Sequence, residues 1–237
     1  MERNNKTVII TGAASGIGKA TSLAFSREGF DLLITDKNSQ GLYLLAEEIR
    51  GKNTKVITVV ADLLNVNEVI RIPEKALEYF GKVDVLVNNA AFCPQEEVVN
   101  MSLDIWNNVI SVNLTAPMLL CKGVLPNMIS RNGGCIVNVT SRAAIVGRAT
   151  KSPYCASKAA LNGFTRALAK EVAVYGIRVN SLLPGPVNTP MFGGNPELMT
   201  ENVMEPETIS DAILFLSSDS SSGINGIELN VFGSPWP

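Results

Sequence analysis

Thr7-Val-Ile-Ile-Thr11-Gly-Ala-Ala-Ser-Gly-Ile-Gly18 decides the architecture. Val8, Ile9 and Ile10 form a short apolar run. Such a run suits a strand buried on both faces and is far too short for the core of a signal peptide. The run leads straight into glycines at 12, 16 and 18. Glycine permits a tight turn and lets the backbone approach a bulky anion with no Cβ in the way. A helix opening near Ile17, just after Ser15, offers unpaired N–H groups and the positive end of its dipole. Strand, glycine turn and helix together suit a dinucleotide pyrophosphate.

Asp36 lies 18 residues beyond Gly18, after a second apolar run. An acid at this distance is placed to accept hydrogen bonds from a ribose, and it repels a 2′-phosphate. The expected cofactor is therefore NAD, with NADP less favoured. Lys37 points the other way, and we read it as a solvated turn charge.

Outward from this unit, strands are expected at 7–11, 31–35, 55–60, 83–88, 135–140, 178–183 and 228–231. Helices are expected at 17–28, 39–50, 66–80, 103–129, 154–174 and 206–216. The alternation predicts a doubly wound α/β fold with a parallel sheet and helices on both faces. Length favours one domain over residues 1–237. The loop 184–206 is rich in Pro, Gly and Asn, and its part near 190–206 reads as a short substrate loop.

Composition narrows the function. The chain is 46% hydrophobic and 18% charged, with net charge −2, an ordinary globular balance without a basic stripe for nucleic acid. It has no histidine, and Cys93, Cys121, Cys135 and Cys155 form no C-x-x-C pair. No metal site is expected. Four reduced thiols point to the cytoplasm, and no stretch reads as long enough to cross a membrane.

Chemistry enters with Tyr154-Cys-Ala-Ser-Lys158. Positions i and i+4 share a helix face, so the phenol and the ammonium can point into one cleft. A phenol with an ordinary pKa near 10 needs a nearby cation to act as a base. Ser141 ends the fifth strand, where open α/β sheets bind ligands, and can donate to a substrate oxygen. Thr140 competes for that role.

The ordered set Thr11-Gly-x-x-x-Gly-x-Gly18, Asp62, Asn88-Asn-Ala-Ala91, Asn113, Ser141, Tyr154-x-x-x-Lys158 and Pro184-Gly185 with Thr189 resembles the short-chain dehydrogenase/reductase family, in its compact form, over nearly the whole chain. The resemblance implies a seven-stranded sheet in the order 3-2-1-4-5-6-7 and a homo-oligomer, tetramer or dimer. It implies an alcohol or carbonyl substrate, with Tyr154 as acid/base, Ser141 holding the substrate oxygen and Lys158 holding the ribose. Asn113 would reach Lys158 through a water. Asp62 would bond the adenine edge, Asn88 would brace its strand, and Ala90 would line the adenosine side. Thr189 would hold the carboxamide. Leu63, Asn89, Pro184, Gly185 and Val187 would line the same site.

Substrate contacts are expected from Phe92, Cys93, Arg142, Ile145, Met191 and Phe192, with Arg148 and Lys151 nearby. Arg142 and Lys151 are read as solvated or paired with local acids. The sequence departs from the family in a short segment containing Gly193-Gly194 and in the ending Val231-Phe-Gly-Ser-Pro-Trp-Pro237. The first implies an open pocket or one closed by another subunit. The second leaves Trp236 between two prolines, seeking a partner surface. Two other classes share the scaffold: a catalytically silent NAD-sensing protein, and a lyase or epimerase that uses the nucleotide transiently.

Overall fold

The computed structural model describes residues 5–50, 54–192 and 203–233. Seven strands form one sheet: β1 (Thr7–Thr11), β2 (Asp31–Asp36), β3 (Val56–Val60), β4 (Val85–Asn88), β5 (Gly134–Val139), β6 (Ile177–Pro184) and β7 (Glu228–Val231). Their order is β3-β2-β1-β4-β5-β6-β7 and every pairing is parallel. The order reverses between β1 and β4. This is the switch point at which such sheets open a ligand crevice.

The period of two in β1 explains the layering. Val8 and Ile10 face one core with Phe25, Leu42, Leu45, Ile209 and Ile213. Ile9 faces the other with Val69, Ile72, Leu120, Val124 and Leu168. The first layer is built by α1 (Gly16–Arg27), α2 (Ser39–Ile49) and α8 (Pro206–Ser217). The second is built by α3 (Val66–Phe80), α5 (Ala116–Ser130) and α7 (Ser152–Val172). Each fully buried Ile or Leu contributes about 1.5–3 kcal/mol of hydrophobic stabilisation.

Local signals set the helix ends. Asn38 caps α2 through the Gly41 amide, and Asn65 caps α3 through the Asn67 amide. Gly81 stops α3 in the left-handed region. The expected helix 103–129 runs unbroken over Leu103–Ser130 but carries a π turn. α4 (Leu103–Ile110) passes through a π turn, Ser111–Thr115, into α5. Ser102 caps α4. A four-residue helix, α6 (Ala143–Val146), follows Ser141 and had no signal in the sequence.

Contrary to the sequence reading, the continuous stretch Leu103–Ser130 is long and apolar enough to span a bilayer by length and composition. Here Leu120, Val124 and Met128 pack into the second core against the sheet. The residues Gly193-Gly194 of the short substrate loop, and Trp236, lie outside the described residues. Phe192 ends the turn Pro190–Phe192, and its side chain is likewise outside the description.

Candidate active site

A cleft of about 530 Å³ opens at the carboxyl ends of the strands. Its lining brings together Gly12, Ser15, Gly16, Ile17, Asp36, Asp62, Leu63, Asn89, Ala90, Phe92, Cys93, Ser141, Arg142, Tyr154, Lys158, Pro184, Gly185, Val187, Thr189 and Met191. These come from separated parts of the chain, and the parallel sheet sets them side by side.

At one end the glycine turn forms the cradle. Gly16 opens α1 with φ of 51°, and a Cβ there would lie 2.9 Å from Thr189 Cγ2. Ser15, the residue before α1, makes no side-chain cap, and the first turn carries no acid. The helix therefore presents uncapped amides and its positive end to the cleft. Gly18 does not line the cleft, contrary to expectation. A Cβ on it would fall 2.0 Å from the Gly12 carbonyl oxygen, so its role is to let α1 pack against the turn. The turn is pinned from behind. Thr11 Oγ1 accepts from the amides of Asn89 and Ala90, each at 3.0 Å, and Asn89 Nδ2 donates to the Thr11 and Gly12 carbonyls.

Asp36 ends β2 facing this cradle. Its carboxylate accepts from Ala14 N at 3.0 Å and Asn38 N at 2.9 Å. One bond to each oxygen leaves lone pairs for ribose hydroxyls. Asp62 likewise organises its own turn by accepting from Leu64 N at 3.0 Å.

At the other end Ser141 leaves β5 beside Tyr154 of α7. Ser141 Oγ accepts from Ala143 N at 3.1 Å, which directs its proton elsewhere. Thr140 is excluded as the donor, because its buried hydroxyl bonds to the Leu182 carbonyl at 3.2 Å. Burial pushes the Tyr154 phenol up to about 12, and a hydrogen bond from Ser141 pulls against that rise. The expectation that Lys158 lowers the phenol is corrected here. Lys158 is itself fully buried, its Nζ donates to the Val139 carbonyl at 2.8 Å, and desolvation lowers it to about 8. Its Nζ stands 5.8 Å from the centre of the Tyr154 ring.

Asn113 is buried in the π turn and does not line the cleft. Its amide accepts from Phe92 N at 2.8 Å and donates to Phe92 O and Ser157 Oγ, each at 3.0 Å. Both ends of the amide are thus engaged by Phe92 and Ser157 rather than turned toward Lys158. Ser157, which sequence reasoning missed, in turn donates to the Tyr154 carbonyl at 2.8 Å. Its place directly before Lys158 was the available signal. Asn88 does brace its strand. It donates to Asn138 Oδ1 at 2.8 Å, and Asn138 donates to Thr165 Oγ1 at 2.8 Å, joining β4, β5 and α7 through a buried polar chain. Ile145 is 56% exposed and lies outside the lining, because α6 turns it away. Arg148 and Lys151 do line the cleft.

Among the described residues no group of three or more His, Cys, Asp or Glu side chains is placed to hold a metal. All four thiols are free, Cys121 and Cys135 buried, Cys93 and Cys155 half-buried.

A parallel sheet in this order, with a glycine cradle at its switch point and a Ser–Tyr–Lys group beside it, defines a nicotinamide-dependent oxidoreductase scaffold. The chain belongs to the short-chain dehydrogenase/reductase family: the family model described as short chain dehydrogenase matches residues 6–198. It is similar to 3-oxoacyl-[acyl-carrier-protein] reductase FabG of Thermotoga maritima, with 38% identity covering 98% of each chain. Its fold matches an actinorhodin polyketide ketoreductase solved with NADPH, with TM-score 0.91, 28% identity and 97% of each chain covered. It also matches a short chain dehydrogenase from Mycobacterium paratuberculosis bound to NAD, with TM-score 0.88, 27% identity, 95% of this chain and 96% of that one.

Proposed function

We propose that this protein is an NAD-dependent oxidoreductase that moves hydride between nicotinamide and a secondary alcohol or ketone, with Tyr154 as the acid/base. The observation that carries this reading is the convergence of Ser141 and Tyr154 on one end of the cleft, with the Lys158 ammonium buried beside them. The residues fit the cofactor. The cradle leaves no room for a Cβ at Gly16, and the uncapped α1 amides match a pyrophosphate. Asp36 supports NAD over NADP through its ribose-facing carboxylate.

Bound nicotinamide supplies or accepts the hydride. The chain does the rest. Ser141 donates a hydrogen bond to the substrate oxygen and steadies the charge that gathers there. Tyr154 delivers its proton to that oxygen in reduction, for which a phenol held protonated by burial is well suited. In oxidation Tyr154 must take the alcohol proton, and the hydrogen bond from Ser141 favours the ionised phenol, while Lys158 lines the cleft beside it and would hold the ribose. Ser157 and Asn113 fix Tyr154 through its backbone.

Four free thiols support a reducing compartment, and we place the protein in the cytoplasm. Exposed Val98, Val99, Leu103 and Trp106 support a homo-oligomer, tetramer or dimer. Nicotinamide absorbance, followed with NAD and secondary alcohols and with NADH and ketones, tests the reading. Turnover that Tyr154→Phe abolishes is expected, and turnover that survives it refutes the assignment.

A further inference from the structure

We propose that the substrate end of the cleft is an anion site, in which Arg148 and Lys151 hold a carboxylate or phosphate group carried by the carbonyl substrate. This rests on the ketone chemistry assigned above to Tyr154 and adds the charge of the molecule that undergoes it.

The cleft is electrically two-ended. The carboxylates in its lining are Asp36 and Asp62, both beside the cradle. Beyond Ser141 the lining carries Arg142, whose guanidinium lies over the Phe232 ring, then Arg148 and Lys151, and no carboxylate among the described residues. Neither Arg148 nor Lys151 forms an ion pair with a described acid. Glu96 is tied to the same loop, since its amide donates to the Thr150 carbonyl at 2.8 Å. Its carboxylate pairs with neither cation and lies outside the lining.

Both charges act at the reacting end. Burial raises the Cys93 thiol in the cleft wall, Lys151 and Arg148 each pull against that rise, and Arg148 also acts on the Tyr154 phenol. Lys151 is the N-cap of α7, whose first turn has no acid and no side-chain cap. The positive end of a 21-residue helix therefore adds to the same field. A neutral ketone makes no use of this arrangement. An anionic one is drawn in by it and held with its carbonyl toward Ser141 and Tyr154.

The test compares matched pairs on the holoenzyme: 3-oxobutanoate against its methyl ester, and an oxoacyl pantetheine thioester with and without its phosphate. Exposed Arg148 and half-buried Lys151 each contribute roughly threefold to fivefold, so kcat/KM favours the charged member by about tenfold. The ratio falls toward one in the Arg148→Gln/Lys151→Gln variant and in high salt. The pair that responds identifies the anion as carboxylate or phosphate. Equal rates within both pairs overturn the proposal.

A second readout needs no turnover. Alkylation of Cys93 by iodoacetate relative to iodoacetamide drops several-fold in the double variant if the cations act there. An unchanged ratio overturns the anion site. A reduced ratio in a protein that turns over no ketone upholds it and counts against the hydride-transfer reading instead.

Discussion

The ammonium of Lys158 donates to the backbone carbonyl of Val139 at 2.8 Å, fastening the middle of α7 to the end of β5. That bond places the charge one turn below Tyr154 and two residues before Ser141 leaves the strand. It also buries a cation completely, and burial lowers its pKa to about 8. The folded protein then binds fewer protons than the unfolded chain between pH 8 and the ordinary lysine range. The contribution of Lys158 to stability rises with pH across that window, while the raised thiols of Cys93, Cys121 and Cys135 pull the other way as unfolded thiols ionise near pH 9. Tyr154, raised to about 12, acts oppositely above pH 10, where the unfolded tyrosine ionises first.

Urea melts at pH 7 and pH 9 therefore show wild type gaining stability relative to Lys158→Met at the higher pH. Lys158→Met loses that gain and is the more stable protein at pH 7, although inactive. An equal pH response in the two proteins contradicts the burial argument.

Gly18 predicts a failure of the cradle. A Cβ there meets the Gly12 carbonyl oxygen at 2.0 Å, a backbone atom that cannot step aside without moving the turn. Gly18→Ala is expected to cost about 1–3 kcal/mol by overpacking and to weaken NADH binding more than tenfold. Thermal melts and a fluorescence titration with NADH check both effects.

Asp36 predicts cofactor choice. Asp36→Asn keeps an acceptor for the Ala14 or Asn38 amide but removes the charge that opposes a 2′-phosphate. The ratio of kcat/KM for NADP over NAD should rise about tenfold, corresponding to roughly 1.4 kcal/mol. Lys37, exposed in the same lining, then contributes to the phosphate contact. A ratio unmoved by the substitution shows that Asp36 does not select the cofactor.

Ser157 predicts a positioning effect. Ser157→Ala leaves an Asn113 N–H without its partner and frees the Tyr154 carbonyl. The expected stability loss is about 1–3 kcal/mol. The kcat should fall several-fold with KM for NADH little changed, because the displaced group is the phenol and not the cradle. A loss confined to KM for NADH contradicts this.

Much of this site was legible before folding. The strand pattern located all seven strands to within a few residues: the inner strands are buried and leave near-continuous apolar runs, while the edge strands β3 and β7 are half-buried. The glycine turn, Asp36 and the Tyr154–Lys158 spacing were legible from local chemistry, while Ser141 was set apart from Thr140 by the family resemblance. The π turn at Ser111–Thr115 was not, because a single widened turn leaves the apolar period of a helix almost intact. The Asn113 contacts and the raised phenol of Tyr154 depend on burial and on neighbours distant in sequence. Ile145 was misplaced for the same reason: four residues of helix α6 rotate it out of the cleft.

The central claim is that Tyr154 moves the proton that accompanies hydride transfer. The most direct measurement is the single-turnover rate of NADH oxidation by a ketone substrate in wild type and Tyr154→Phe, with NADH affinity measured in parallel. The account predicts a rate lower by about 10²–10⁴-fold with affinity preserved. Equal single-turnover rates in the two proteins contradict it.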